Sequence, residues 1–238
     1  MKILAFDSTA RVASVAVCEN ERTLAHYTID NGKTQSELLL PMAESILKSL
    51  SLDFSDIDLY AVSVGPGSFT GVRIGASLVK GLSFGTGRPC VAVSTLEALA
   101  ENLSGLDGYI VPVMDARRGQ TYTALFESSQ AGISRISADE AVSFSALAER
   151  LAPLADKKIY LVGDGYYIAK ESLFALGIST EITPFELRLE NATSVARVGF
   201  RLFNEGKSED DLTLSPTYLR MPQAERERLE RLATQKSE

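Results

Sequence analysis

Histidine occurs once in this chain of 238 residues, tryptophan not at all, and cysteine twice. Each scarcity removes a class of function. The single histidine, His26, falls inside an alternating segment and reads as a half-exposed strand residue. A Ser-His-Asp triad would have to use it, and no neighbouring residue recommends it for that work. One histidine and two scattered cysteines cannot build a His-rich transition-metal site, so no metal centre is expected, although carboxylates alone could still hold Mg²⁺. Cys18 and Cys90 stand apart inside apolar runs, which fits buried thiols in a reducing compartment. No apolar run approaches the ~20 residues that span a bilayer. Asp7 interrupts the N-terminus before a signal-peptide core could form. A cytoplasmic location without a membrane partner is therefore expected. Basic residues are also the minority, 24 against 31 acidic, for a formal charge of −7. Arg117-Arg118 and Lys157-Lys158 are its only basic doublets and no basic stripe stands out, so this chain is not expected to hold a nucleic acid tightly by itself.

What is present is an ordinary globular composition, 45% hydrophobic and 23% charged. Its length fits one large domain or two smaller lobes. Residues 3–6, 12–17 and 23–29 read as strands, closed by the turn Asn31-Gly32-Lys33. A helix over about 35–50 follows, then a strand at 59–64 and the turn Gly65-Pro66-Gly67-Ser68. The next helix, with Thr70 as its expected N-cap, runs to about Phe84. A strand at 90–93 and a helix at 95–102 complete the first half. The second half reopens the pattern: an apolar strand at 109–114 ends in Asp115, a polar turn follows, and an alternating strand returns at 121–126. Helices near 144–151, 166–176 and 194–204 surround a strand at 159–162. These readings divide the chain into a first lobe of residues 1–105 plus about 191–220, a second of 106–190, and a charged tail over 221–238, frayed or disordered.

The two acid-ended hairpins resemble those with which actin, sugar kinases and Hsp70 grip nucleotide phosphates, one per lobe. In that arrangement turn hydroxyls and backbone N–H groups reach the phosphates. Asp7-Ser8-Thr9 suits the first hairpin. Asp115-Ala-Arg-Arg-Gly119 suits the second poorly, because no hydroxyl follows the acid. The only candidate adenosine loop is Gly163-Asp-Gly165. Asp7, Ser8, Thr9 and Asp115 are accordingly read as a vestigial nucleotide site, with residual ATP or ADP as the sole conceivable cofactor. A working ATPase is the competing reading.

Gly65-Pro-Gly-Ser-Phe-Thr-Gly-Val-Arg-Ile-Gly75 lacks the Lys-Ser or Lys-Thr of a P-loop and the spacing of a hydrolase elbow. Gly71, Gly75, Ala76, Ser77 and Gly81 stud its helix with small residues, although each glycine weakens an isolated helix by ~1 kcal/mol. Close packing within the chain's own sheet and a helix–helix interface both explain them. The preceding helix is more specific. From Leu38 to Leu50 its apolar residues cover an arc of roughly 200° at 100° per residue, where a little over ~100° would seat it on one core. Burial on two sides follows, with Pro41 as the complication.

Taken together, the stretches Ile3–Thr9, Gln35–Pro41, Gly65–Gly75, Val93–Leu99, Met114–Arg118 and Pro216–Arg220 resemble the TsaB (YeaZ) family, in the family's order. Gln35 departs from it, since many members carry His before Ser-Glu. The resemblance implies an α/β, two-lobed actin-like fold (duplicated RNase H-like, mixed sheets flanked by helices). It also implies a role in threonylcarbamoylation of the adenosine beside the tRNA anticodon. The catalytic relative, TsaD, has a His-x-x-x-His metal pair where this chain has Thr95 and Leu99, so no catalytic residue is expected here. The implied partners are TsaD, TsaE docking on the pair, a second copy of the chain in isolation, and tRNA only through the complex. The implied interface lies on the two helices, at Leu38, Leu39, Met42, Ile46, Phe69, Thr70, Val72, Arg73, Ile74 and Ser77. An ATP-dependent transferase or kinase of the same fold, a metal-dependent peptidase and a homodimeric scaffold with another client are the rival readings.

Overall fold

A computed structural model describes residues 1–220; the expected charged tail lies outside the described residues. The chain opens with an antiparallel meander of β1 (Lys2–Asp7), β2 (Ala13–Glu19) and β3 (Arg22–Ile29). Helix α1 (Gln35–Ser49), strand β4 (Leu59–Ser63), helix α2 (Phe69–Thr86) and strand β5 (Cys90–Val93) follow. The sheet order is β3-β2-β1-β4-β5, with β1, β4 and β5 parallel. Both faces of β1 and β4 are covered, which is why they read as unbroken apolar runs rather than alternating ones. Helices α1 and α2 cover one face, and α6 (Ala192–Asn204) covers the other with Val195, Ala196 and Val198.

The second sheet repeats this plan. Strand β6 (Gly108–Asp115) pairs antiparallel with β7 (Gln120–Thr123) and β8 (Phe126–Ser129), and parallel with β11 (Ile159–Val162). Strands β9 (Gly132–Arg135) and β10 (Glu140–Ser143) pair outside β8 and β7. The single strand expected at 121–126 is thus two, broken at Leu125. Its N–H turns to Ser137 Oγ at 2.9 Å, and its carbonyl accepts the Ile136 N–H at 2.8 Å. Helices α4 (Phe144–Leu151) and α5 (Tyr166–Ala175) cover this sheet. With β7/β8 and β9/β10 each taken as one interrupted strand, the second lobe repeats the order of the first four strands, β3-β2-β1-β4, and only an isolated bridge between Tyr160 and Glu181 stands where β5 would pair. This is the two-lobed actin-like arrangement, and Asp7 and Asp115 end equivalent strands. No helix among the described residues is long and apolar enough to cross a membrane.

The lobes are joined by side chains as well as by backbone. Helix α3 (Thr95–Glu101) lies at the seam, where the Glu97 carboxylate accepts from Arg201 of α6 at 2.5 Å and from Arg135 of β9 at 2.9 Å. Just before α3, Ser94 donates to Asp139 at 2.6 Å. Just after it, Asn102 donates to the carbonyls of Leu187 and Leu189. At the opposite side, Thr217 donates its N–H to Val64 and Arg220 donates to the Ala116 carbonyl at 2.6 Å, so the last described segment spans both lobes.

Candidate functional site

Between the hairpins lies a cleft of about 550 Å³, lined by both acid-ended turns, the start of α2 and the segment 217–220. The first hairpin is occupied with itself. Asp7 is buried, and its carboxylate accepts from Ser63 Oγ at 2.5 Å, Thr9 N–H at 2.9 Å and Thr9 Oγ1 at 2.7 Å. Burial raises its pKa above the usual carboxylate value, with these three donors opposing the rise. Ser8 donates its hydroxyl to the Gly71 carbonyl. The three residues expected to form the phosphate-facing half of a vestigial site are therefore brought together, with their side chains bonded within the chain.

The glycine-rich stretch explains how the first turn is closed. A Cβ on Gly67 would overlap the Thr9 carbonyl, one on Gly71 would overlap the Ser8 carbonyl, and one on Gly75 would lie 2.6 Å from Ser8 Oγ. Helix α2 thus lies against the turn more closely than any side chain allows. Its N-cap is Ser68, whose Oγ accepts the Gly71 N–H at 3.3 Å, not the expected Thr70. The turn ends two residues earlier than its glycines suggested, because Ser68 is already anchored through its N–H to Thr9. Gly81 and Gly85 behave differently: a Cβ on either would meet nothing within 4 Å.

The second hairpin is open and basic. Asp115 is exposed, and its Oδ1 accepts the Arg117 N–H at 2.7 Å. Arg117 and Arg118 both take left-handed backbone conformations, at φ 63° and 56°, a cost of ~1–2 kcal/mol each. Arg11 from the first hairpin and Arg220 from the spanning segment join them around the cleft. The sequence showed the doublet Arg117-Arg118; Arg11 and Arg220 are too distant in the chain for any local pattern to have added them. The Gly163-Asp-Gly165 loop is spent on packing, since a Cβ on either glycine would press on the Val113 carbonyl.

Below the cleft sits Glu190, which sequence reasoning missed. Both its carboxyl oxygens are buried without a hydrogen-bond partner. Burial first, then the Asp164 and Asp7 carboxylates, hold its pKa well above the glutamate value. Asp164 is raised in turn, chiefly by burial, against the Asp115 N–H that it accepts. Among the described residues, no group of three or more His, Cys, Asp or Glu is placed to hold a metal ion. Thr95 and Leu99 are buried, and Leu99 belongs to the apolar cluster between β6 and α3. His26 is exposed on β3.

The expected interface residues divide into two groups. Leu39, Met42 and Ile46 are buried in the cluster between the helices and the first sheet, so the wide arc of α1 is partly the chain's own core, and Val72 is buried at the cleft wall. Leu38 and Ile74 are half-buried on that same cluster, and Phe69 is half-buried at the cleft. Thr70, Arg73 and Ser77 are exposed. Beside them Leu40, part of the wide arc though not among the expected interface positions, and Phe84, which the sequence reading missed, are 39% and 77% exposed. Arg73 lies 3.8 Å from the Phe69 ring centroid and donates to the Tyr218 hydroxyl at 2.8 Å, fixing the start of α2 to the spanning segment.

Residues 26–227 match the family model described as TsaD, tRNA N6-adenosine threonylcarbamoyltransferase. The chain is 31% identical to the tRNA threonylcarbamoyladenosine biosynthesis protein TsaB of Bacillus subtilis (strain 168), covering 94% of this chain and 96% of that one. It is equally 31% identical to the Escherichia coli (strain K12) protein of the same description, over 92% and 95%. Among solved structures, YeaZ from Pseudomonas aeruginosa is similar with a TM-score of 0.73 and 25% identity, over 92% of this chain and 99% of that one. A second, described as an uncharacterized protein with similarity to peptidase YEAZ from Pseudomonas aeruginosa, reaches a TM-score of 0.75 at the same identity and coverage.

Proposed function

Because the chain belongs to the TsaB (YeaZ) family, whose named members are tRNA threonylcarbamoyladenosine biosynthesis proteins, we propose that it is a non-catalytic subunit in that modification. In this reading it pairs with a TsaD-type transferase, stabilises it, and offers the pair to TsaE. In isolation the same face joins two copies. The observation that carries the reading is the exposure of large apolar side chains on both helices: Leu40 on α1, and Phe84 on α2 beside the open glycines Gly81 and Gly85. Small residues beside large apolar ones let a second helix backbone come close. Such anchors are worth ~2 kcal/mol or more each once desolvated. The absence of catalysis in this reading is supported by Leu99, a core residue where the transferase has a metal-binding histidine.

Of the expected interface, Leu38, Thr70, Arg73, Ile74 and Ser77 remain with Leu40 and Phe84 as the partner-facing set. Leu40→Glu and Phe84→Glu should abolish pairing while the monomer melts at an unchanged temperature. Leu39→Glu and Val72→Glu should unfold it, since both bury a charge in the core. Pairing that survives both exposed substitutions would sink the interface. Function is tested by reconstituting modification from tRNA, threonine, bicarbonate, ATP and the remaining pathway proteins. Modified adenosine should collapse when this chain is omitted, and equal modification without it would overturn the role.

A further inference from the structure

The cleft mouth is basic in a chain that is acidic overall. Arg11, Arg117, Arg118 and Arg220 line it with the carboxylates Asp115 and Asp164; Arg11 is also paired with Asp30 at 2.8 Å and Arg220 with the Ala116 carbonyl, while the whole chain carries −7. Arg11, Arg117 and Arg118 are exposed where they line the cleft. The chain forces two successive arginines into left-handed backbone conformations there, which places both side chains on the hairpin's short turn. From the other wall comes the N-terminus of the 18-residue α2. Ser68 caps its Gly71 N–H, and among the described residues the Phe69 and Thr70 N–H groups have no partner. Guanidinium forks and free helix-terminal N–H groups share one ligand chemistry, the phosphate oxyanion.

We propose that this cleft mouth binds phosphate groups through Arg11, Arg117, Arg118 and Arg220, with the N-terminus of α2 as the opposing donor. The phosphate can belong to a free pyrophosphate-like compound or to a polynucleotide backbone; the chemistry at the rim is the same. The floor fits neither an adenosine, since Gly163 and Gly165 are packed on Val113, nor a phosphate, since Asp7 is sealed beneath α2. Binding is therefore confined to the mouth. The proposal stands apart from the pairing reading in its ligand and needs no partner protein; the two surfaces meet only at Thr70, at the start of α2.

The test uses the full purified chain with two probes, inorganic pyrophosphate by calorimetry and a labelled short single-stranded RNA by fluorescence anisotropy. Saturable binding of at least one probe is expected, weakened about ten-fold or more by Arg118→Glu. The control Arg22→Glu, an exposed charge on β3, should leave it unchanged. For the RNA, each lost arginine should also reduce the salt-dependence slope by about one. Pyrophosphate binding assigns the site to free phosphate compounds; RNA binding alone assigns it to a backbone. Failure of both probes to saturate, or equal affinity in wild type and Arg118→Glu with both melting alike, overturns the proposal.

Discussion

Helix α2 carries glycines on two sides, and alanine substitutions should move stability in opposite directions. At Gly81 an added methyl meets nothing within 4 Å, so the helix gains the propensity difference, up to ~1 kcal/mol. For a chain of this size that raises the melting temperature by ~2–4 °C. Gly85 stands in the last turn and should gain less. At Gly75 the same gain is offset: the new Cβ lies 2.6 Å from Ser8 Oγ and 3.3 Å from Val62 Cγ2. The hydroxyl must turn away from the Gly71 carbonyl, at a cost of about 1 kcal/mol, so Gly75→Ala should be near neutral. At Gly71 the obstacle is the Ser8 carbonyl, which cannot rotate aside. Overpacking of ~1–3 kcal/mol or more then exceeds the propensity gain. Urea denaturation of the four single variants should rank Gly81→Ala first, wild type and Gly75→Ala together, and Gly71→Ala last. Equal stability of Gly71→Ala and Gly81→Ala would refute the packing of α2 on the first hairpin. If Gly81 also faces a partner helix, its alanine variant gains monomer stability and loses pairing at once.

Glu190 gives a pH signature. Its folded pKa is raised, so folded and unfolded chains are both protonated near pH 4, and stability is lost as pH rises from there toward the folded value. Glu190→Gln should melt close to wild type near pH 4 and increasingly above it as the pH rises; a constant difference across the range would count against the assignment. Asp7→Ala strands the donors Ser63 and Thr9 in a buried turn and should cost ~1–3 kcal/mol. Exposed Asp115→Ala should stay within about 0.5 kcal/mol. Asp115→Ala is therefore the cleaner probe of any residual nucleotide chemistry, and an Asp7→Ala variant as stable as wild type would contradict the hydrogen-bond network.

The fold was readable where one period governed a segment. Strands β1 and β4 and helices α1 and α2 fell close to their expected bounds because burial on both faces, or a wide apolar arc, dominates those sequences. Strands β9 and β10 escaped notice, since Gly-Ile-Ser-Arg and Glu-Ala-Val-Ser at an exposed edge have neither alternation nor bulk. The site was harder. Asp7 and Asp115 announced themselves by ending apolar strands, but the arginine cluster joins positions 11, 117, 118 and 220, and the buried Glu190 feels carboxylates as distant in the chain as Asp7 and Asp164. Small residues on α2 could not declare which of them touch the chain and which are open, because a glycine carries no side chain by which to read its surroundings.

The bridges across the seam bear on how the molecule melts. Glu97 holds an arginine from each lobe, Asn102 holds two carbonyls of the second, and the 217–220 segment ties the far side. Neither lobe can lose its structure without stripping partners from the other. Calorimetric and van't Hoff enthalpies should therefore agree, as for a single cooperative unit. If the two enthalpies agree, the ties on both sides of the hinge make the two lobes one body in the folded chain, with neither rocking against the other.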